Sequence, residues 1–253
     1  MLTDGIKLIN FEKKIKNSIV LRNLNLIVKE KNQLISSLSK NYKDSFNIQL
    51  LKKYKKFSNF RIIGIGGSIL GTQAIYNFLR TKVKKNFTFI DNLEENKKKT
   101  PQKKIANLVV SKSGNTIETI INSNFYIKKK DKNIFITENK SNYLHDLAKK
   151  LRADIVHHNN YIGGRYSVLS EVGMLPAELM GLKSKNFRQF NSLVKSKKFI
   201  NNLINNVAST IYFIKKRKFN SVIINYDERS ENLFKWYQQL IAESLGKNNK
   251  GLL

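Results

Sequence analysis

The spacing of the apolar residues changes near Phe57. Before it, Leu24, Ile27 and Val28, then Leu34 and Leu38, recur at helical intervals without strong Gly or Pro punctuation, which predicts a helical N-terminal extension. From Phe60 onward short apolar runs alternate with amphipathic stretches: "FRIIGI" then 69–79, "FTFID", "ANLVVS" then 116–127, "NIFIT" then 141–151, and "ADIVH". Alternation of that kind predicts a parallel sheet with helices on both faces, a three-layer α/β/α sandwich. Right-handed crossovers then gather the strand C-terminal ends on one edge, where ligands bind in open α/β sheets.

Beyond "SEVGMLPAELMG" the pattern predicts helices over 187–194 and 199–215, a strand at "SVIINY", and a helix over 231–245. A lone strand with a helix does not make a domain. The expected organisation is therefore a helical extension over 1–58, an α/β domain over 59–183, and an incomplete second α/β unit over 184–253, cut off at "GKNNKGLL".

Charge changes this picture less than its size implies. Forty-seven Lys and Arg against eighteen Asp and Glu give +29 over 253 residues, the balance of a polyanion binder. The lysines nevertheless lie in short scattered groups (97–99, 128–130, Lys197 and Lys198) among many Asn and Ile, without interleaved arginine and aromatics. An A/T-rich coding bias produces that pattern, so no specific nucleic-acid partner is expected. A positive field still raises the encounter rate with phosphorylated metabolites.

The absence of cysteine excludes disulfides, thiolate chemistry and Cys-built zinc sites. His145, His157 and His158 show no metal-ligand spacing and read as surface or packing residues. The N-terminus has early acidic residues and no apolar signal region, and no stretch approaches the length of a membrane span, which predicts a cytoplasmic protein without a membrane partner.

Four blocks carry candidate chemistry. "IIGIGGS" is a strand running into a glycine turn at a helix start, where free amides and the helix dipole accept an anion; it lacks the spacing of a dinucleotide fingerprint or a P-loop lysine. Tight packing explains the glycines equally well. "NLVVSKSGNTIET" sets Ser111, Ser113, Thr116 and Thr119 after an apolar strand, a hydroxyl cluster suited to a phosphate monoester, with Asn115 or Thr116 placed to cap the next helix. A Ser/Thr-rich cap would account for one or two of these hydroxyls.

In "IGGRYSVLSEVGML" a glycine pair precedes Arg165, a fixed cation beside backbone that can approach a ligand; a structural ion pair is the alternative. In "ENLFKWYQQLIAESLGK", Leu233, Trp236, Tyr237, Leu240 and Ile241 make a buried helical stripe, with Gln239 and Glu243 one turn apart at its margin. Desolvation there would raise the proton affinity of Glu243, as suits a general base, whereas pairing with Lys247 is the structural alternative.

"GIGGSILG", "SKSGNTIET", "GGRYSVLSEVGMLPA" and "WYQQLIAESLGK", in this order, resemble the phosphoglucose isomerase family over about 60–246. The first two blocks are also shared with other sugar isomerase domains. The resemblance implies a sugar isomerase fold in which Gly67 and Ser68 line the sugar, while Ser111, Lys112, Ser113, Thr116 and Thr119 hold the phosphate. It further implies that Arg165 stabilises an enediolate, that Gln239 contacts substrate, and that Glu243 moves the proton between C2 and C1. The implied reaction converts glucose 6-phosphate to fructose 6-phosphate with no metal or organic cofactor, in a homodimer when full length.

Two departures matter. The loop reads "SKSGNT" where many members show "SKTFTT", a form similar to looser sugar isomerase domains and to dual phosphoglucose/phosphomannose isomerases. The family's ring-opening histidine and a C-terminal lysine belong to the part expected after Leu253, so this chain alone is expected to be nearly inactive. The competing class is a regulatory phosphosugar-binding domain, which would need neither Arg165 nor Glu243.

Overall fold

The apolar runs pair edge to edge: Ile105–Val110 and Lys132–Thr137 are buried almost throughout, the signature of strands inside a parallel sheet, whereas Asn86–Ile90 and Asp154–His157 keep exposed positions as sheet edges do. The computed structural model describes residues 18–30, 32–93 and 104–246. The leading segment 1–17, the lysines at 97–99, and 247–253 with Lys247 lie outside them. In chain order the elements are α1 (Ser18–Lys29), α2 (Gln33–Ser37), α3 (Ile48–Lys55), β1 (Asn59–Ile63), α4 (Leu70–Phe78), β2 (Asn86–Ile90) and β3 (Ile105–Val110). There follow α5 (Ile117–Tyr126), β4 (Lys132–Thr137), α6 (Tyr143–Lys150), β5 (Asp154–His157), α7 (Glu171–Leu179), α8 (Phe190–Leu193), α9 (Lys197–Lys215) and α10 (Glu231–Leu245).

The described residues divide into two compact units, one drawn from 43–184 and 224–240, the other from 18–42, 185–223 and 241–246. The first holds the sheet, in the order β2-β1-β3-β4-β5 with every pair parallel. This is an α/β fold. Ile90, Ile63, Val109, Phe135 and Ile155 stand in register across it, and they pack with Leu144 and Ala148 of α6 and with Ile120 and Tyr126 of α5. One residue earlier, Ile62, Leu108 and Ile134 are fully buried on the opposite face, as strand alternation dictates.

The chain leaves β1 toward β2 through α4, and leaves β3 toward β4 and β5 through α5 and α6. Right-handed crossovers in opposite directions put α4 on the other face from α5 and α6. Between β1 and β3 the direction of winding reverses, which opens a crevice at their C-terminal ends.

α7 packs on α3 and α4 although Pro176 sits within it. Proline lacks the N–H that would reach the Val172 carbonyl. The Thr72 hydroxyl donates to that carbonyl instead, at 3.5 Å.

The second unit is helical. α1 packs on α9, the Phe190 amide donates to the Leu38 carbonyl (3.2 Å), and the Lys40 amide donates to Asn191 Oδ1 (3.1 Å). Arg188 is buried, its guanidinium 4.9 Å from the Tyr42 ring centre.

Three expectations change. Residues 221–226, "SVIINY", form no strand: a ladder needs a neighbour, none of the described residues supplies one, and Val222, Ile224 and Tyr226 are exposed. Helix 187–194 shrinks to the four residues of α8. α10 has the expected bounds, yet none of its residues is fully buried and Tyr237 is exposed, so its apolar stripe is only half-covered.

Candidate functional site

The crevice has two walls of different make. One is the turn after β1. Its strand holds β3 so closely that a side chain at Gly64 would reach to 3.0 Å from the Val110 carbonyl. The chain then enters a 3-10 turn over Gly66–Ser68, with Gly66 in the left-handed region at φ 54°. Gly67 lies directly against the backbone of Gly164 and Arg165, where a Cβ would collide with the Arg165 amide nitrogen. Only glycine permits that approach.

The segment on the far side of this contact is held in place from three directions. The Ser167 hydroxyl donates to the Gly164 carbonyl (2.7 Å) and lies 3.5 Å from the Gly67 carbonyl. The Trp236 indole N–H donates to the Arg165 carbonyl at 3.1 Å. The Arg165 guanidinium lies 4.7 Å from the centre of the Tyr166 ring, a cation–π contact. Gln239, one turn after Trp236, reaches over Gly66, its Nε2 where a Cβ would come within 2.9 Å.

The other wall is the loop after β3, made of hydroxyls. Ser111 Oγ and Thr116 Oγ1 are 2.9 Å apart, the Gly114 amide donates to Ser111 Oγ (3.2 Å), and the Asn115 amide donates to Ser113 Oγ (3.3 Å). Gly114 takes φ 67° and packs against Asn142, the cap of α6, where any side chain would collide. Thr116 occupies the cap position of α5 without making a cap bond, since its hydroxyl turns to Ser111. The first-turn amides of α5 are thus left facing the loop, with the positive end of the helix dipole behind them.

Thr119 stands apart from the other three hydroxyls. It is buried one turn into α5, and its Oγ1 has no hydrogen-bond partner among the described residues. Lys112 is also occupied: its ammonium donates to the Asn160 carbonyl (2.7 Å) and pairs with Glu138 Oε1 (3.3 Å). That bond staples the hydroxyl loop to the segment leading into Gly163, Gly164 and Arg165.

The same segment rests on two buried groups that sequence reasoning did not single out for a role. Glu171, fully buried at the start of α7, accepts the Asn159 amide (2.5 Å). His158 is also buried, with Nδ1 3.0 Å from the Asn159 carbonyl. Nδ1 therefore carries the proton, and burial pushes the imidazole pKa down to about 4. Neither has a local signal, because an acid after a serine and a histidine pair look like surface residues.

The structure thus joins Gly67, Arg165 and Gln239 at one wall and Ser111, Ser113 and Thr116 at the other, on neighbouring strands. Ser68 ends the 3-10 turn beside Gly67. Glu243 follows Gln239 by one turn of α10, within the helical unit, and is exposed rather than flanked by buried apolar side chains. Among the described residues no cluster of three His, Asp or Glu side chains is placed to hold a metal ion. No helix of these residues is long and apolar enough to cross a membrane.

A parallel α/β fold with a glycine turn and a hydroxyl loop meeting at the winding reversal has the geometry of a ligand-binding crevice. Comparison with known proteins narrows the class. The model of the family described as phosphoglucose isomerase matches residues 28–251, and the chain belongs to that family. It is 35% identical to a glucose-6-phosphate isomerase of Methanocaldococcus jannaschii, across 83% of this chain and 57% of that protein. A glucose-6-phosphate isomerase of Mycoplasma mycoides is 33% identical, across 76% of this chain and 50% of that protein. The chain spans about half the length of these relatives. A solved structure of a hypothetical protein, TT0462 from Thermus thermophilus, shares the fold with a TM-score of 0.71 at 22% identity, covering 93% of this chain and 62% of that one.

Proposed function

We propose that this chain supplies the phosphosugar-binding and proton-transferring portion of a glucose-6-phosphate isomerase, interconverting glucose 6-phosphate and fructose 6-phosphate without a metal or organic cofactor. The observation that carries the reading is the backbone contact of Gly67 with Gly164 and Arg165, with Gln239 over Gly66. Three segments far apart in the chain converge there on the crevice. The curated relatives bear that activity in their names.

In this reading the hydroxyls of Ser111, Ser113 and Thr116 and the first amides of α5 hold the phosphate, each donating one charge-assisted hydrogen bond. Thr119 supports the loop from beneath, and Lys112 adds positive field while bracing it. Gly67 and Ser68 let the sugar lie against backbone, and Gln239 orients a sugar hydroxyl. Glu243 takes the C2 proton of the opened aldose and returns it to C1, while a proton passes from O2 to O1. Arg165 is the fixed cation beside the negative oxygen of the enediolate, where preorganised charge counts most. A homodimer of the full-length protein in the cytoplasm completes the proposal.

Ring opening has no candidate here. His158 is buried and neutral at physiological pH, and His145 and His157 sit in no matching block. The 253-residue polypeptide assayed alone would therefore bind phosphosugar and turn over slowly.

A coupled assay on fructose 6-phosphate tests this with the polypeptide alone, with a version lengthened to the relatives' full span, and with Glu243→Gln in the latter. The lengthened form should be active, and Glu243→Gln should lower kcat by about 10³-fold or more while sparing phosphosugar affinity. A rate unchanged by Glu243→Gln would sink the proposal, as would failure of the lengthened form to bind hexose phosphate.

A further inference from the structure

We propose that the edge of the sheet opposite the crevice is a second binding site, for an oligophosphate. Because all five strands are parallel, their N-terminal ends line one edge. A cleft of about 800 Å³ opens there, lined among others by Lys56, Phe57, Lys104, Lys130, Asp131 and Lys132. That volume lies within the range of small-molecule sites.

The four lysines come from the entries to three neighbouring strands. Lys56 precedes β1, Lys104 immediately precedes β3, and Lys130 and Lys132 bracket the start of β4. Strands stand about 4.8 Å apart, so the cationic row extends for about 10 Å, the scale of two or three linked phosphates.

The acids of this chain are scarce, and Asp154, which stands at this same edge at the start of β5, is held by Lys53 and the Tyr54 hydroxyl. Lys112 and Lys140 pair with Glu138, and Lys235 with Glu231. No ammonium of the cleft has an ion-pair partner among the described residues. The one acid in the cleft, Asp131, already accepts from the Lys128 amide (2.9 Å) and from Asn107 Nδ2 (3.4 Å). Four exposed cations against one engaged carboxylate leave an uncompensated positive field in a concave site.

Such a field recognises clustered negative charge, and lysine serves phosphate as a mobile point charge. The half-buried Ile105 and the edge of the largely buried Phe57 form a small apolar floor to the same cleft, beside which a nucleoside would sit. The occupant is thus an oligophosphate, either inorganic or carried by a nucleoside. The site is independent of the crevice reading, since it lies at the other end of every strand.

The test is isothermal titration of the intact chain with inorganic tripolyphosphate and with ATP at about 0.15 M salt, where exposed charges more than about 8 Å apart are screened. It compares the triple variant Lys56→Gln, Lys104→Asn, Lys132→Gln with the control Lys195→Gln, Lys197→Gln, Lys215→Gln in the helical unit. Asn is chosen at 104 because that residue has φ 55° and Asn tolerates the left-handed region. Both variants lose three charges, so a purely global field effect would weaken them alike.

One-to-one binding is expected, lost by on the order of 30-fold in the cleft variant, at about 3-fold for each solvent-exposed lysine, and by less than about 3-fold in the control. Saturating fructose 6-phosphate should leave the isotherm unchanged. Equal affinity for the two ligands assigns the site to the phosphate chain alone, and tighter ATP binding assigns it to a nucleoside oligophosphate. Equal losses in both variants, several ligands per chain, displacement by fructose 6-phosphate, or tighter binding of a single-stranded oligonucleotide would each overturn the proposal.

Discussion

The two walls of the crevice reach one end by opposite means. The turn after β1 is shaped by absent side chains, so that Gly67 can lie on the backbone of Gly164 and Arg165. The loop after β3 is shaped by side chains that satisfy one another, with Ser111, Thr116 and Ser113 bonded within the loop. The first has a single steric solution. The second is a set of modest bonds, each replaceable at modest cost. Steric fit should therefore fail abruptly and the hydroxyl loop gradually.

The sharpest break is Gly67→Ala. Its Cβ has nowhere to go but into backbone, and a stability loss of about 4 kcal/mol is expected, at the severe end for point substitutions. Denaturant melts will show it; a loss under about 1 kcal/mol would mean that the contact yields and that the contrast between the walls is false.

Next is pH, which acts on the segment stapled to the hydroxyl loop. The folded pKa of His158 lies near 4 against about 6.5 unfolded, so below 6.5 the unfolded chain takes up a proton that the folded chain refuses. Stability is intact above pH 6.5 and falls as pH drops toward 4, by up to about 3 kcal/mol. His158→Gln should flatten that part of the profile. An unchanged slope in the variant would assign the acid sensitivity elsewhere.

The hydroxyl wall gives smaller effects. Ser111→Ala with Thr116→Val should leave melting nearly unchanged while hexose phosphate affinity falls about 30-fold, or about 2 kcal/mol. A collapse in stability instead would make these hydroxyls structural. The smallest expected effect is Trp236→Phe, which keeps an aromatic in place but removes the bond to the Arg165 carbonyl. About 1 kcal/mol is expected, read as a small shift in melting midpoint.

The same contrast separates what could be read from the sequence from what could not. β1 to β5 were legible because buried parallel strands are continuous apolar runs, and the bounds of α10 followed from its stripe. The glycines of "GIGGS" and the hydroxyls of "SKSGNT" were visible as residues, though not their partners. That Gly67 meets Arg165, or that Trp236 serves Arg165, depends on folding, and no local spacing encodes it. "SVIINY" failed for the converse reason: its local pattern is that of a strand, but a ladder is a property of two segments. α7 was not marked because Pro176 interrupts its pattern, and its lost donor is partly replaced by a hydroxyl on another helix.

The bond from Trp236 to Arg165 also sets a clock. The two residues lie 71 positions apart. At about 10 residues per second, a ribosome takes roughly 7 s to travel from one codon to the other. During that interval the sheet and the hydroxyl loop can already be assembled on the nascent chain, yet the Arg165 carbonyl still waits for its indole and Gly66 for its glutamine. Any grip on an anion by the hydroxyl loop should therefore emerge earlier in synthesis than a complete crevice.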